Sequence, residues 1–182
     1  MTYATDSILH SATAQCRIAS PLGTMLLART KHGLAGAWFE RQKHHPDVIG
    51  APERADDPLL AETASQLRDY FAGARTAFDV PLDLQGTDFQ RAVWNALLGI
   101  APGRTSTYGE IARELGVPSA SRAVGAAVGR NPVSIIVPCH RVVGSSGSLT
   151  GYAGGLDRKT SLLRIEAERA RRRRGVAELE LH

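Results

Sequence analysis

The sequence has little cysteine and no long apolar run, and each scarcity removes a class of protein. Its 182 residues hold two cysteines, Cys16 and Cys139. They lie far apart and form neither a C-x-x-C pair nor a set with metal-ligand spacing, which predicts two free thiols and no structural disulfide. No stretch reaches the apolar length that spans a bilayer, and residues 1–11 lack a basic start followed by an apolar block. The expectation is a cytoplasmic protein with no membrane partner. A glycine-rich stretch at residues 144–155 is not followed by lysine at Walker spacing, so neither a nucleotide nor any other cofactor is expected.

What is present is ordinary for a globular chain: 43% hydrophobic and 22% charged residues, enough for one substantial core or two small domains. A net charge of +4 and a pI near 9.4 allow an anionic partner without demanding one. Much of the excess sits in Arg169, Arg171, Arg172, Arg173 and Arg174. Such a run is either a solvated face or a direct phosphate contact.

Short strands are expected at residues 16–20, 24–30 and 34–39, separated by the turn signals Pro21-Leu22-Gly23 and Lys31-His32-Gly33. Residues 41–57, with Pro46 and Pro52, read as a loop. Pro58 opens a helix to about Phe71, closed by Gly73, and residues 76–82 alternate like a further strand. These elements make an α+β N-terminal domain over residues 1–86. Thr87-Asp88 caps a helix over 89–98, and Thr107 caps another over 108–115. Gly116-Val117-Pro118 breaks the chain before Ser119 or Ser121 starts a helix to about Arg130. Two short helices joined this way fit a helix-turn-helix unit, and equally a plain helical hairpin. Gly125 in the second helix costs roughly 1 kcal/mol relative to alanine. Close approach by another helix or by a nucleic-acid groove would offset that cost, and Arg122 either reaches a base stack or lies on the surface.

The segment Ile135-Ile136-Val137-Pro138-Cys139-His140-Arg141-Val142-Val143 sets a cysteine beside a histidine and an arginine where proline interrupts an apolar run. A free thiol titrates near pH ~8.5, and neighbouring cations lower that and expose a nucleophilic thiolate. The other reading is a small buried hydrophobe. Pro138 suggests a strand end for Cys139. A last helix over about 158–172 carries Glu166, either a solvated carboxylate or the third group that orients the histidine.

Read with Tyr108, Arg122, Asn131 and Glu166, the Pro138-Cys139-His140-Arg141-Val142 signature resembles the O6-alkylguanine-DNA alkyltransferases, the methylated-DNA–protein-cysteine methyltransferases. Arg122-Ala123-Val124-Gly125 and Asn131-Pro132 precede it, and Tyr152 and Gly154-Gly155 follow. The resemblance implies a ribonuclease-H-like N-terminal domain, a winged-helix-like C-terminal domain over residues 87–168 that binds the minor groove of duplex DNA, and a basic tail over 169–182. It implies stoichiometric transfer of the alkyl group of O6-alkylguanine, and of O4-alkylthymine, to Cys139, by a monomer that needs no metal. Cooperative binding along DNA stays open. By the same resemblance His140 takes the thiol proton through a water, Glu166 holds His140, Asn131 braces the turn, and Tyr108 protonates the leaving base. Val142, Tyr152 and Ala153 form the base pocket. Arg122 replaces the extruded nucleotide, with Ala120, Ser121 and Ser145 on the DNA surface.

Ala153 stands where some relatives carry serine, leaving only its backbone N–H to contact the base. Cys16 is the only N-terminal cysteine, so the structural zinc of some members is not expected, and His44-His45 reads as solvent-exposed. A non-enzymatic lesion sensor and a thiol hydrolase using Cys139 and His140 are the competing readings.

Overall fold

The computed structural model describes Ile8 and residues 10–46 and 48–180. Most of residues 1–11, the last two residues of the tail and the side chains of Arg174 and residues 176–180 lie outside the described part. Three strands, β1 (Ala14–Ile18), β2 (Met25–Arg29) and β3 (Leu34–Phe39), form an antiparallel meander in the order β1-β2-β3, with Cys16 opposite Leu27 and Leu27 opposite Ala37. Alternation splits the sheet's apolar residues between two faces. Met25, Leu27, Ala37 and Phe39 join the main core, while Leu26, Ala28, Ala35 and Trp38 cover a smaller cluster with Ile8, Ile49 and Ala51. Gly36 makes room for the indole, since a Cβ there would fall 1.8 Å from the Trp38 ring.

Helix α1 (Pro58–Ala72) is capped by Asp57, whose side chain accepts from the Leu59 and Leu60 N–H groups, and it ends at left-handed Gly73. Its Leu60, Ala64, Leu67 and Tyr70 pack into the main core. Residues 76–82 do not form the expected strand. Their alternation is real, but Leu82 makes only a single parallel bridge to Leu34, because Pro81 offers a carbonyl to Leu34 and has no N–H to extend a ladder.

The second half begins with α2 (Asp88–Leu98), whose capping box pairs Thr87 with Gln90. After β4 (Ser106–Thr107) comes α3 (Tyr108–Glu114), with a second capping box between Thr107 and Glu110, and then α4 (Ser121–Gly129). Ala120 holds the cap position of α4 and supplies no side-chain hydrogen bond. Trp94 ties α2 to α4 by donating Nε1–H to the Ala127 carbonyl at 2.8 Å. A 3-10 turn (Cys139–Arg141) leads into β5 (Val142–Val143), which pairs in parallel with β4. The last helix, α5 (Leu156–Glu180), is longer than expected at both ends. The apolar core runs unbroken from the sheet and α1 through Trp94, Leu97, Val124, Val133 and Val137.

Candidate active site

The segment before Cys139 is moored to the sheet. Ala37 N–H donates to the Pro132 carbonyl and Ser134 N–H to the Ala37 carbonyl, both at 2.8 Å, so β3 holds the start of the turn. Ile135 has φ +72°, a left-handed conformation that a β-branched residue adopts only under constraint. Asn131 supplies much of that constraint. Its Nδ2 donates to the Val137 carbonyl at 2.8 Å and to Cys139 Sγ at 3.0 Å, with a longer contact of 3.4 Å to the Val133 carbonyl. Its Oδ1 accepts from Val133 N–H at 2.9 Å. One buried amide therefore spans the turn and touches the sulfur. Cys139 opens the 3-10 turn after Pro138 instead of ending a strand, because Pro138 fits ahead of a helical turn as well as at a strand end.

Cys139 is 4% exposed. Burial pushes its thiol up to about 11, opposed by the Asn131 hydrogen bond and the charge of Lys159. Burial thus works against the thiolate that the sequence neighbours of Cys139 suggest. The two neighbouring basic side chains are turned elsewhere. His140 Nε2 lies 2.9 Å from Glu166 Oε1, while Arg141 donates from Nη2 to Oε1 at 2.8 Å and from Nε to Oε2 at 2.9 Å. Glu166 also accepts from Tyr70 Oη at 2.8 Å and from Gly103 N–H at 3.3 Å, five hydrogen bonds on one carboxylate. Burial opposes its ionisation, but the His140 and Arg141 hydrogen bonds and the Arg141 charge outweigh that and hold its carboxyl well below the usual range. Burial lowers His140 against the hydrogen bond and charge of Glu166, which favours the neutral imidazole.

The cation that acts on Cys139 is Lys159, fully buried on α5. Its Nζ donates to the carbonyls of Val142 and Thr150, clamping β5 to the glycine-rich loop. Nothing in its sequence surroundings marks it. Tyr70 lies on the buried face of α1, and its phenol reaches across 96 positions of sequence to Glu166.

The remaining site residues fall on two levels. Val142 and Tyr152 are buried and Ala153 is half-buried. Gly154 leaves space for the Tyr152 ring, since a Cβ there would stand 2.5 Å from it. Tyr108, half-buried at the start of α3, points its hydroxyl to the Thr150 carbonyl at 3.2 Å. Arg122 is exposed on the first turn of α4, next to half-buried Ala120 and Ser121, and Ser145 is exposed in the glycine-rich loop. A Cβ on Gly125 would meet the Tyr108 ring at 3.6 Å, an ordinary contact, so protein packing does not require glycine there. Among the described residues no cluster of three or more His, Cys, Asp or Glu side chains could hold a metal. His44 is exposed, but His45 is half-buried, its ring 6.4 Å from that of Trp38, which corrects the reading of both as solvent-exposed.

A buried thiol flanked by a histidine–carboxylate pair, mounted beside two short helices, defines a protein that uses cysteine as a nucleophile on a helical binding module. Two family models cover most of the chain: the ribonuclease-like domain of 6-O-methylguanine DNA methyltransferase matches residues 16–84 and its DNA binding domain matches residues 88–168. The chain belongs to this methyltransferase family. It is 50% identical over 154 residues to the methylated-DNA–protein-cysteine methyltransferase of Mycobacterium tuberculosis, covering 84% of this chain and 92% of the relative. The enzyme of the same name from Methanosarcina acetivorans is 50% identical over 147 residues, 81% of this chain and 94% of its own. The crystal structure of Mycobacterium tuberculosis OGT in complex with DNA superposes with a TM-score of 0.78 at 48% identity, covering 86% of this chain and 94% of that one.

Proposed function

We propose that this protein repairs duplex DNA by transferring the alkyl group of O6-alkylguanine, and of O4-alkylthymine, to Cys139 in a single turnover. The observation that carries the reading is the Cys139–His140–Glu166 arrangement with Asn131 on the sulfur. Ionised Glu166 can only accept hydrogen bonds, so His140 Nε2 carries the proton of the shared bond and Nδ1 keeps its lone pair. That Nδ1 is buried and has no hydrogen-bond partner among the described residues. It is the atom that takes the Cys139 proton through a water, and Glu166 stabilises the imidazolium that results.

Sulfur then attacks the alkyl carbon in line. The Sγ–C bond forms as the C–O6 bond breaks, the electron pair goes to the guanine ring, and the Tyr108 phenol supplies a proton to N3. The product is a thioether without a ready exchange partner. Cys16 lies in β1, so no second thiol stands ready to take the group on. A base inside the stack is out of reach of a buried sulfur, which supports extrusion of the nucleotide into a pocket walled by Val142, Tyr152 and Ala153. Arg122 on α4 fills the gap from the minor groove, with Ala120, Ser121 and Ser145 beside it. The protein acts as a monomer in the cytoplasm. Among the described residues no helix is long and apolar enough to cross a membrane.

Intact and peptide mass spectrometry after mixing with excess duplex carrying O6-methylguanine tests this. One methyl on Cys139, saturating at one per protein, is the expected result. An unmodified protein that still holds the lesion would replace this reading with that of a non-enzymatic sensor.

A further inference from the structure

The basic run that starts at Arg169 is more than a solvated face. Arg169 is half-buried on α5, where Nη2 donates to the Phe71 carbonyl at 3.1 Å and Cζ stands 5.0 Å from the centre of the Tyr70 ring. Its Nη1 is buried and has no hydrogen-bond partner among the described residues. A charged N–H shut away from water and left unpaired is among the costlier features a fold can carry. It points to a partner that the chain itself does not supply.

That guanidinium lines a cavity of about 340 Å³ together with Arg104, Arg173, Gly103, Thr76 and Glu166. The volume falls at the small end of the range for small-ligand sites, roughly 300–1,000 Å³. The one carboxylate in the wall, Glu166, already accepts five hydrogen bonds and is paired with Arg141. Among the described residues none of Arg104, Arg169 and Arg173 is in an ion pair. The cavity thus gathers three guanidinium groups around a single carboxylate that is already paired with Arg141, and among the described residues they have no ion pair of their own. Planar guanidinium forks match the paired oxygens of a phosphate group, and several of them around one concavity select a multiply charged anion over chloride.

We propose that this cavity, whose wall includes Glu166, binds a phosphate-type oxoanion held by Arg104, Arg169 and Arg173. The site stands apart from the base pocket and does not depend on alkyl transfer to Cys139. Its ligand is either a free phosphate group or a backbone phosphate of bound DNA, and the two sources are separable.

The test uses the full chain and a double variant, Arg104→Gln with Arg173→Gln, both exposed positions whose replacement leaves the core intact. Thermal unfolding is followed while inorganic phosphate replaces chloride at constant ionic strength. The expected result is a saturable rise in Tm that the double variant loses, its apparent Kd weakened by about tenfold or more. Arg113→Gln, an exposed arginine on α3, keeps the full response. If the double variant also lowers the salt slope of duplex binding, by about 0.9 for each phosphate it no longer neutralises, the phosphate belongs to DNA. An unchanged salt slope assigns the site to a free anion. Equal phosphate responses in the parent and the double variant, or none in either, would overturn the proposal.

Discussion

The two cysteines are alike in burial and opposite in the charge of their surroundings. Each is 4% exposed and each is free. Cys16 sits in regular strand β1 opposite Leu27, and its thiol is raised by burial and then by the negative charges of Glu53 and Asp57. Cys139 sits on a strained turn, where burial also raises the thiol but Asn131 and Lys159 work against it. Burial alone therefore does not set the two thiols apart. The sign of the neighbouring charges does, together with a base that can take the proton away.

The widest separation between the two is expected from single substitutions. Cys139→Ala abolishes methyl uptake from O6-methylguanine duplex while leaving binding to that duplex largely intact. Cys16→Ala, which trims a buried side chain in a sheet, keeps the one-methyl end point by mass spectrometry. Methyl uptake by the Cys139 variant would break the comparison outright.

Removing the base apparatus comes next. Glu166→Gln leaves the Arg141 guanidinium buried without its counter-charge, and an amide can donate to His140, which frees the wrong nitrogen. Losing general-base assistance costs about 10²- to 10⁴-fold in transfer rate. Breaking a buried pair from one side costs about 3–5 kcal/mol of stability. Single-turnover kinetics and denaturant unfolding read the two losses, and a variant with parental rate would remove His140 from the mechanism. Below these effects, Arg122→Ala is expected to slow duplex repair by about tenfold or more, a part of the few kcal/mol that unstacking a base requires. Reaction with free O6-alkylguanine base should be nearly unchanged, because nothing has to be extruded. Equal losses on both substrates would leave Arg122 a surface arginine.

How far this contrast could be read from sequence depends on the range of each interaction. The meander, both capping boxes and the helix ends are local, and Thr87, Thr107, Pro58 and Gly73 mark them within a few residues. The signature around Cys139 is local as well. What escaped is what the fold brings together. Tyr70 and Gly103 converge on Glu166 from elsewhere in the sequence, and of the two readings open for that carboxylate its 2% exposure leaves no room for the solvated one. Adjacency misled at Cys139 for the same reason. His140 and Arg141 follow it directly, yet both are turned to Glu166, and the cation that acts on the sulfur is Lys159 on the last helix. The missing strand at 76–82 is a smaller case, where alternation was right but Pro81 ended the pairing.

The smallest effect is the one that sets the two cysteines side by side in a single measurement. Both thiols are raised in the folded chain, Cys139 to about 11, whereas the unfolded chain releases thiol protons near pH ~8.5. Below that pH both states hold the proton and the thiols add no pH dependence. As pH rises above it, the unfolded state loses protons that the folded state keeps, so stability falls until the folded thiol also titrates. The slope is at most about 1.4 kcal/mol per pH unit for each thiol. Unfolding free energies across pH 8 to 11, compared among the parent, Cys16→Ala and Cys139→Ala, should show each substitution flattening the alkaline decline. Methylation of Cys139 by substrate should flatten it as the alanine variant does, since a thioether has no proton to lose. If the Cys139 variant instead declines as steeply as the parent, the resting group is already a thiolate, and the role given to His140 as its base falls with it.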